Sequence, residues 1–204
     1  MKKIVLSAVL FTALFPLLLF GQGTVKEPST EKLFPAEVTF SYAGKDYALR
    51  PTGLTVRKKL FFKVYGMVHY MQDAPKTANE EDAFKEVLTD GKAKQITLEF
   101  ARDVDAPKIK EAYADGFKQH ASREELGQIQ PLIDQFIGYF SKDVKENDRF
   151  VFRWIPGGSV AVVIQGEEKP VIESAAFARA LWSIWFAKGS IVDREDLVRN
   201  MTGQ

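Results

Sequence analysis

Along this chain the hydrophobic positions switch repeatedly between a two-residue and a helical period. Residues 37–42 alternate, Ala43-Gly44-Lys45-Asp46 turns, and residues 47–50 return before Pro51, which predicts a first hairpin. Residues 55–71 form one long run rich in Val, Phe, Tyr and Met without Pro, and predict a strand. Thr77 and Glu80 stand at capping-box spacing, so residues 80–88 predict a short helix that stops near Gly91. Residues 94–100 alternate cleanly and predict another strand. Ile109, Ala112, Tyr113 and Phe117 fall on one face of a helix over 105–118. Ser122 and Glu125 open the next helix, which Pro131 is expected to kink or split. Residues 149–154 and 159–164 flank Pro156-Gly157-Gly158 as a hairpin, and residues 169–172 follow the turn at Gly166. Ser174 caps a helix through Ala187, Lys188-Gly189 stops it, and a short helix is expected over 193–201. Strands outnumber helices and join mostly as hairpins. The predicted fold class is therefore α+β, an antiparallel sheet with a layer of helices packed on one face.

The amino terminus carries a different pattern. Lys2 and Lys3 precede an apolar stretch from Ile4 to Phe20, and Gly21-Gln22-Gly23 then offers small and polar residues to a peptidase. Residues 1–23 read as a signal peptide. These seventeen residues, apolar apart from Ser7 and Thr12, sit at the lower edge of the roughly 17–25 that span a bilayer, and no basic stop-transfer cluster follows, so no stable membrane span is expected after cleavage. Residues 24–36 are polar and contain Pro, and are expected to be a flexible leader. Residues 37–204 then form one domain, exported to the periplasm or secreted.

Composition narrows the chemistry. The 204 residues carry 28 Lys+Arg and 27 Asp+Glu, and losing Lys2 and Lys3 takes the net charge from +1 to −1. Such a balance argues against nucleic-acid binding, which needs a strongly basic face. The absence of cysteine excludes disulfides, a thiol nucleophile and a Cys-based metal site. His69 and His120 are the only histidines, they stand far apart, and no G-x-S-x-G elbow accompanies them. Gly157-Gly158 lies between two strands and reads as a hairpin turn rather than a phosphate cradle. No metal site and no cofactor is expected.

Residues 55–71 are the most informative stretch. Counted by twos, one face carries Val56, Leu60, Phe62, Val64, Val68 and Tyr70, with Lys58 as an exception. The other carries Arg57, Lys59, Phe61, Lys63, Tyr65, Met67, His69 and Met71. That second face mixes cations with apolar groups. It reads either as an outer face with snorkelling lysines or as a cleft wall with a cation at one end, suited to an amphipathic acid or phenolate. Arginine suits that task because its planar fork grips a carboxylate bidentately.

The segment from Gly53 to Tyr70, with Arg57, Lys59 and the run Lys63-Val64-Tyr65, resembles the early hairpin of the chalcone isomerase-like family. Residues 96–104, ending in Arg102-Asp103-Val104, are similar to that family's strand leading into a helix. Residues 158–166 and 177–186 are similar to its closing hairpin and final helix. The order and spacing of these segments cover residues 37–198. The resemblance implies an open-faced sandwich with a ligand cleft between sheet and helices. It implies that Arg57 is the cleft arginine, which stabilises an anionic oxygen in the plant isomerases and holds a carboxylate in plastid fatty-acid binders. It places Tyr65 where the isomerases have a cleft threonine. The tyrosine and asparagine that those enzymes use at the start of the middle helix have no counterpart in residues 105–112, and Tyr113 is displaced by several residues. The threonine before the last helix is replaced within residues 166–170.

The reading that follows is an exported, non-catalytic protein binding a small apolar acid such as a fatty acid. The alternative is an intramolecular lyase or isomerase acting on a chalcone-like enone, and a third possibility is an interaction module whose cleft is filled by its own Phe and Trp. Ligand contacts are assigned to Arg57, Tyr65, Met67 and Arg102. Arg57 is the one candidate for catalysis, and Arg102 has the further option of supporting the fold through Asp103 or a carbonyl. On one straight strand Arg57 and Tyr65 lie about 26 Å apart, so they share a cleft only if the chain turns near Lys58-Lys59.

Overall fold

The computed structural model describes residues 23–203, so the signal peptide expected over residues 1–23 lies almost wholly outside the described residues. Within these residues seven strands pair antiparallel in the order of the chain: β3 (Val38–Tyr42), β4 (Lys45–Lys59), β5 (Phe62–Met71), β6 (Lys94–Phe100), β7 (Arg149–Ile155), β8 (Ser159–Ile164) and β9 (Glu167–Glu173). Four helices cover one face: α1 (Glu80–Leu88), α2 (Ala106–His120), α3 (Arg123–Gly138) and α4 (Ala175–Phe186). A 3-10 turn (Asp196–Val198) and the one-turn α5 (Arg199–Thr202) follow. The α+β architecture read from the sequence is the one observed. Among the described residues, no helix is long and apolar enough to cross a membrane.

Local chemistry accounts for the helix boundaries. Asn79 caps α1 by accepting from the Asp82 N–H. Ser122 and Glu125 complete a reciprocal capping box at α3. Pro131 does not split α3, which runs unbroken through it. Pro131 and Gly127 both face solvent, so the carbonyl that loses its helical donor can be served by water. The helix α4 is buried along nearly its whole length and packs against α1, α2 and α3. Gly116 allows α2 to approach it, since a Cβ there would lie 3.0 Å from Ile184 Cδ1.

One residue ties this layer to the sheet. His69 of β5 is fully buried. The Trp182 indole N–H donates to its Nε2 at 3.3 Å, and its Nδ1 lies 2.6 Å from Thr52 Oγ1. A neutral imidazole that accepts at Nε2 must carry its proton at Nδ1, which therefore donates to Thr52. The Thr52 hydroxyl passes its own proton to the Leu197 carbonyl at 2.7 Å. Burial, with a smaller contribution from the Lys94 charge, holds His69 well below the ordinary imidazole pKa, so the ring stays neutral.

Residues 24–36, expected as a flexible leader, instead form a two-stranded ribbon, β1 (Thr24–Lys26) and β2 (Leu33–Pro35). Two features order it. Phe34 is fully buried against the outer face of the sheet with Tyr47, Leu49, Val68 and Tyr70, and the Tyr70 hydroxyl donates to the Pro35 carbonyl at 2.9 Å. Glu27, only 2% exposed, closes the ribbon's turn by accepting from the backbone N–H groups of Ser29 and Thr30 and from the Thr30 hydroxyl. A polar composition concealed an internally satisfied turn.

Candidate functional site

The run over residues 55–71 is a hairpin rather than one strand. It reverses at Leu60-Phe61, with Lys59 opposite Phe62 and Leu60 at φ 56°. The turn lies one step beyond Lys58-Lys59. A one-residue register shift between Arg57 and Lys58 then sets Arg57 directly opposite Tyr65. The two candidates that a straight strand would hold far apart are cross-strand neighbours.

Both line a cavity of about 330 Å³ between the tip end of β4 and β5, the start of α2 and the end of α4. Its apolar wall is formed by Val64, Phe100, Ile109, Ile184 and Trp185. Arg57 is half-buried at one side, its Nη1 donating to the carbonyls of Lys58 at 2.9 Å and Ile191 at 2.8 Å. Those two bonds fix the guanidinium in place and use only part of its donor set. Arg102 stands at the mouth, exposed, with its guanidinium over the Phe62 ring at 4.6 Å. Met67 is not at the cavity. It is fully buried in the core two residues further along β5, where side chains fill the space between sheet and helices.

Two tyrosines form the base of the cavity. The Tyr65 hydroxyl accepts the Trp185 indole N–H at 3.0 Å, which leaves its own proton available. Burial pushes its pKa up to about 12, against the smaller opposing effects of the Trp185 bond and the Arg57 charge. Tyr113 of α2 is 7% exposed, and its ring stacks on Phe140 with centroids 4.7 Å apart. Burial, and then the neighbouring Tyr65, hold its pKa well above the ordinary phenol value. Both groups are proton donors at neutral pH and neither is a base. Asp103 at the rim is held below the usual carboxylate range by Lys145 and by the Glu146 N–H, so it too is a poor base near neutrality. The arrangement can hold an anionic or carbonyl oxygen between a guanidinium and two hydroxyls, with carbon against the apolar wall.

Sequence reasoning set Tyr113 aside as displaced from the family's tyrosine position, and did not reach Trp185 or Ile191. The first two had been counted as core faces of their helices, which is true of their rings but not of their polar atoms. The contribution of Ile191 is a loop carbonyl, which leaves no side-chain signal.

A more open hollow of about 610 Å³ lies nearby, between the ribbon, β4 and residues 190–200. Its charged groups are largely engaged already: Lys26 with Glu31, Arg199 with Asp196, and Glu27 with its own turn. It offers little unspent chemistry, and the smaller cavity is the candidate site.

Residues 33–201 match the family described as chalcone isomerase-like. Among solved structures, a fatty-acid binding protein of Arabidopsis thaliana is similar with a TM-score of 0.69 and 18% identity, covering 88% of this chain and 97% of its own. No curated protein matches the chain in sequence.

Proposed function

The chain belongs to the chalcone isomerase-like family, and on that premise we propose that it is an exported, non-catalytic binder of a small apolar acid. The observation that carries this reading is Arg57 in the wall of an apolar cavity, beside two tyrosine hydroxyls that remain protonated. Such a set neutralises a carboxylate and donates to it without offering a proton acceptor. The similar plant structure bears the name of a fatty-acid binding protein, and that name supports the same ligand class. The cavity volume lies near the lower limit of the about 300–1,000 Å³ typical of small-molecule sites. Medium acyl chains or single-ring acids therefore fit better than long ones. A hollow of this size also argues against an interaction module whose cleft is filled by its own side chains.

Titration calorimetry with octanoic, cinnamic and palmitic acids tests the reading. Octanoic or cinnamic acid should bind more tightly than palmitic acid. Arg57→Ala should weaken binding about 10- to 100-fold, the value of a charge-assisted hydrogen bond. No binding by the wild type, or equal binding by Arg57→Ala, would refute it. Chalcone consumption faster than the spontaneous rate, abolished by Arg57→Ala, would replace the binder with an enzyme. Export is tested by sequencing the amino terminus of the protein recovered from its host, which should begin near residue 24.

A further inference from the structure

Large apolar side chains rarely stand fully exposed side by side. Here Leu60 and Phe61 do so at the β4–β5 tip, with exposures of 84% and 97%, and Phe62 beside them is 57% exposed. The turn itself is made from the wrong residues for its geometry. A two-residue hairpin turn favours Asn or Gly where φ is positive, yet Leu60 occupies that place at φ 56°. The backbone would be easier with a small polar residue, so exposed carbon is retained at a conformational cost.

The surroundings define what such a tip can meet. Lys58, Lys59 and Lys63 flank it in sequence, Lys63 reaching back to the Ser29 carbonyl, and Arg102 sits on the Phe62 ring. Asp103, the acid in the cavity lining, is already held by Lys145 at 2.9 Å, and Glu31, close enough to Lys63 to feel its charge, is paired with Lys26 at 2.7 Å. A chain close to neutral overall thus gathers a cationic collar around three apolar side chains. A second copy is a poor occupant. Three side chains contribute a few hundred Å² at most, against about 1,200 Å² or more for a specific interface, and two such collars would face each other with like charge. An anionic bilayer matches both parts, taking apolar side chains about 5–10 Å deep below cations at headgroup level.

We infer that the β4–β5 tip docks this protein on anionic lipid bilayers, with Leu60 and Phe61 entering the acyl boundary and Lys58, Lys59 and Arg102 meeting the headgroup phosphates. The same tip carries the cavity mouth, where Lys59, Leu60 and Phe62 form part of the lining. Docking therefore brings the cavity against the membrane, a source or sink of apolar acids. The docking surface does not depend on the cavity reading, and its test uses no acid.

Flotation with vesicles of phosphatidylcholine alone, and of phosphatidylcholine mixed equally with phosphatidylglycerol, measures docking directly. Wild type and variants share one amino terminus, so differences between them report the tip. Phe61→Ser should weaken binding to the mixed vesicles about 10- to 100-fold, and Lys58→Gln with Lys59→Gln about 30-fold. The melting temperature of each variant in solution should not fall. Phe61→Trp should add a tryptophan whose emission shifts to the blue on mixed vesicles. Equal flotation of wild type and Phe61→Ser overturns the inference, as does an unshifted Phe61→Trp emission. A dimer in sedimentation that Phe61→Ser dissociates, without vesicle binding, assigns the tip to self-association instead. If acid binding fails while flotation succeeds, only the cavity reading falls.

Discussion

Two tyrosines in one cavity separate structure from function by substitution. Tyr65→Phe strands the buried Trp185 N–H, so thermal denaturation should show a loss of about 1–3 kcal/mol. The Tyr113 hydroxyl faces the cavity and has no hydrogen-bond partner among the described residues, so Tyr113→Phe should leave stability unchanged and weaken acid binding several-fold. Titration behaviour gives a second prediction at this scale. Lys94 is fully buried over the Trp154 ring, and burial lowers its pKa to about 8. Between pH 8 and 10.5 the unfolded chain holds a proton that the folded one has lost, so stability should rise through that window. Tyr65 acts in the opposite direction. Its unfolded form ionises near pH 10 while the folded form keeps its proton to about 12, and stability should fall across that interval. Melting temperature against pH should therefore peak near 10, and Lys94→Met should flatten the rising limb. Arg57 stood out among the cations of a mixed strand face because its planar fork suits a carboxylate and the family resemblance singles it out, and the fold sets it in the cavity wall. Tyr113 did not stand out, because its ring is core and only its hydroxyl belongs to the site.

Elements were easier to read than their junctions. The helix α1 and strand β6 span the residues that local signals predict, although the cap of α1 is Asn79 rather than the Thr77 of the expected capping box. The turn at Leu60-Phe61 carries no Gly, Asn or Pro, so the residue pattern read as one strand and only the family resemblance pointed to a hairpin there. That same anomaly yields a test: Leu60→Gly relieves the positive φ and should stabilise the protein by about 1 kcal/mol in denaturant unfolding. Ser122→Ala removes one half of the α3 capping box and should cost about 1 kcal/mol by the same measurement. Met67 was assigned to the cleft on period two alone. Alternation fixes which face a side chain occupies, but the point along the strand where the cavity gives way to packed core depends on the helices above it.

At the scale of the molecule, the sheet carries helices on one face and the amino-terminal ribbon on part of the other. The meander order was legible because each strand pairs with its neighbour in the chain. The ribbon was not, since its order rests on Phe34 meeting residues such as Val68 and Tyr70 that are remote in sequence. Glu27→Ala should loosen it, seen as faster amide exchange in residues 24–36 and a loss of about 1–3 kcal/mol, because three donors lose their acceptor. The imidazole of His69 joins β4, β5, α4 and the 3-10 turn through bonds that only one tautomer can make. Its Nδ1 proton is sealed from water, so it should give a slowly exchanging low-field resonance in the NMR spectrum. That one signal would report, during unfolding, whether the two layers are still joined.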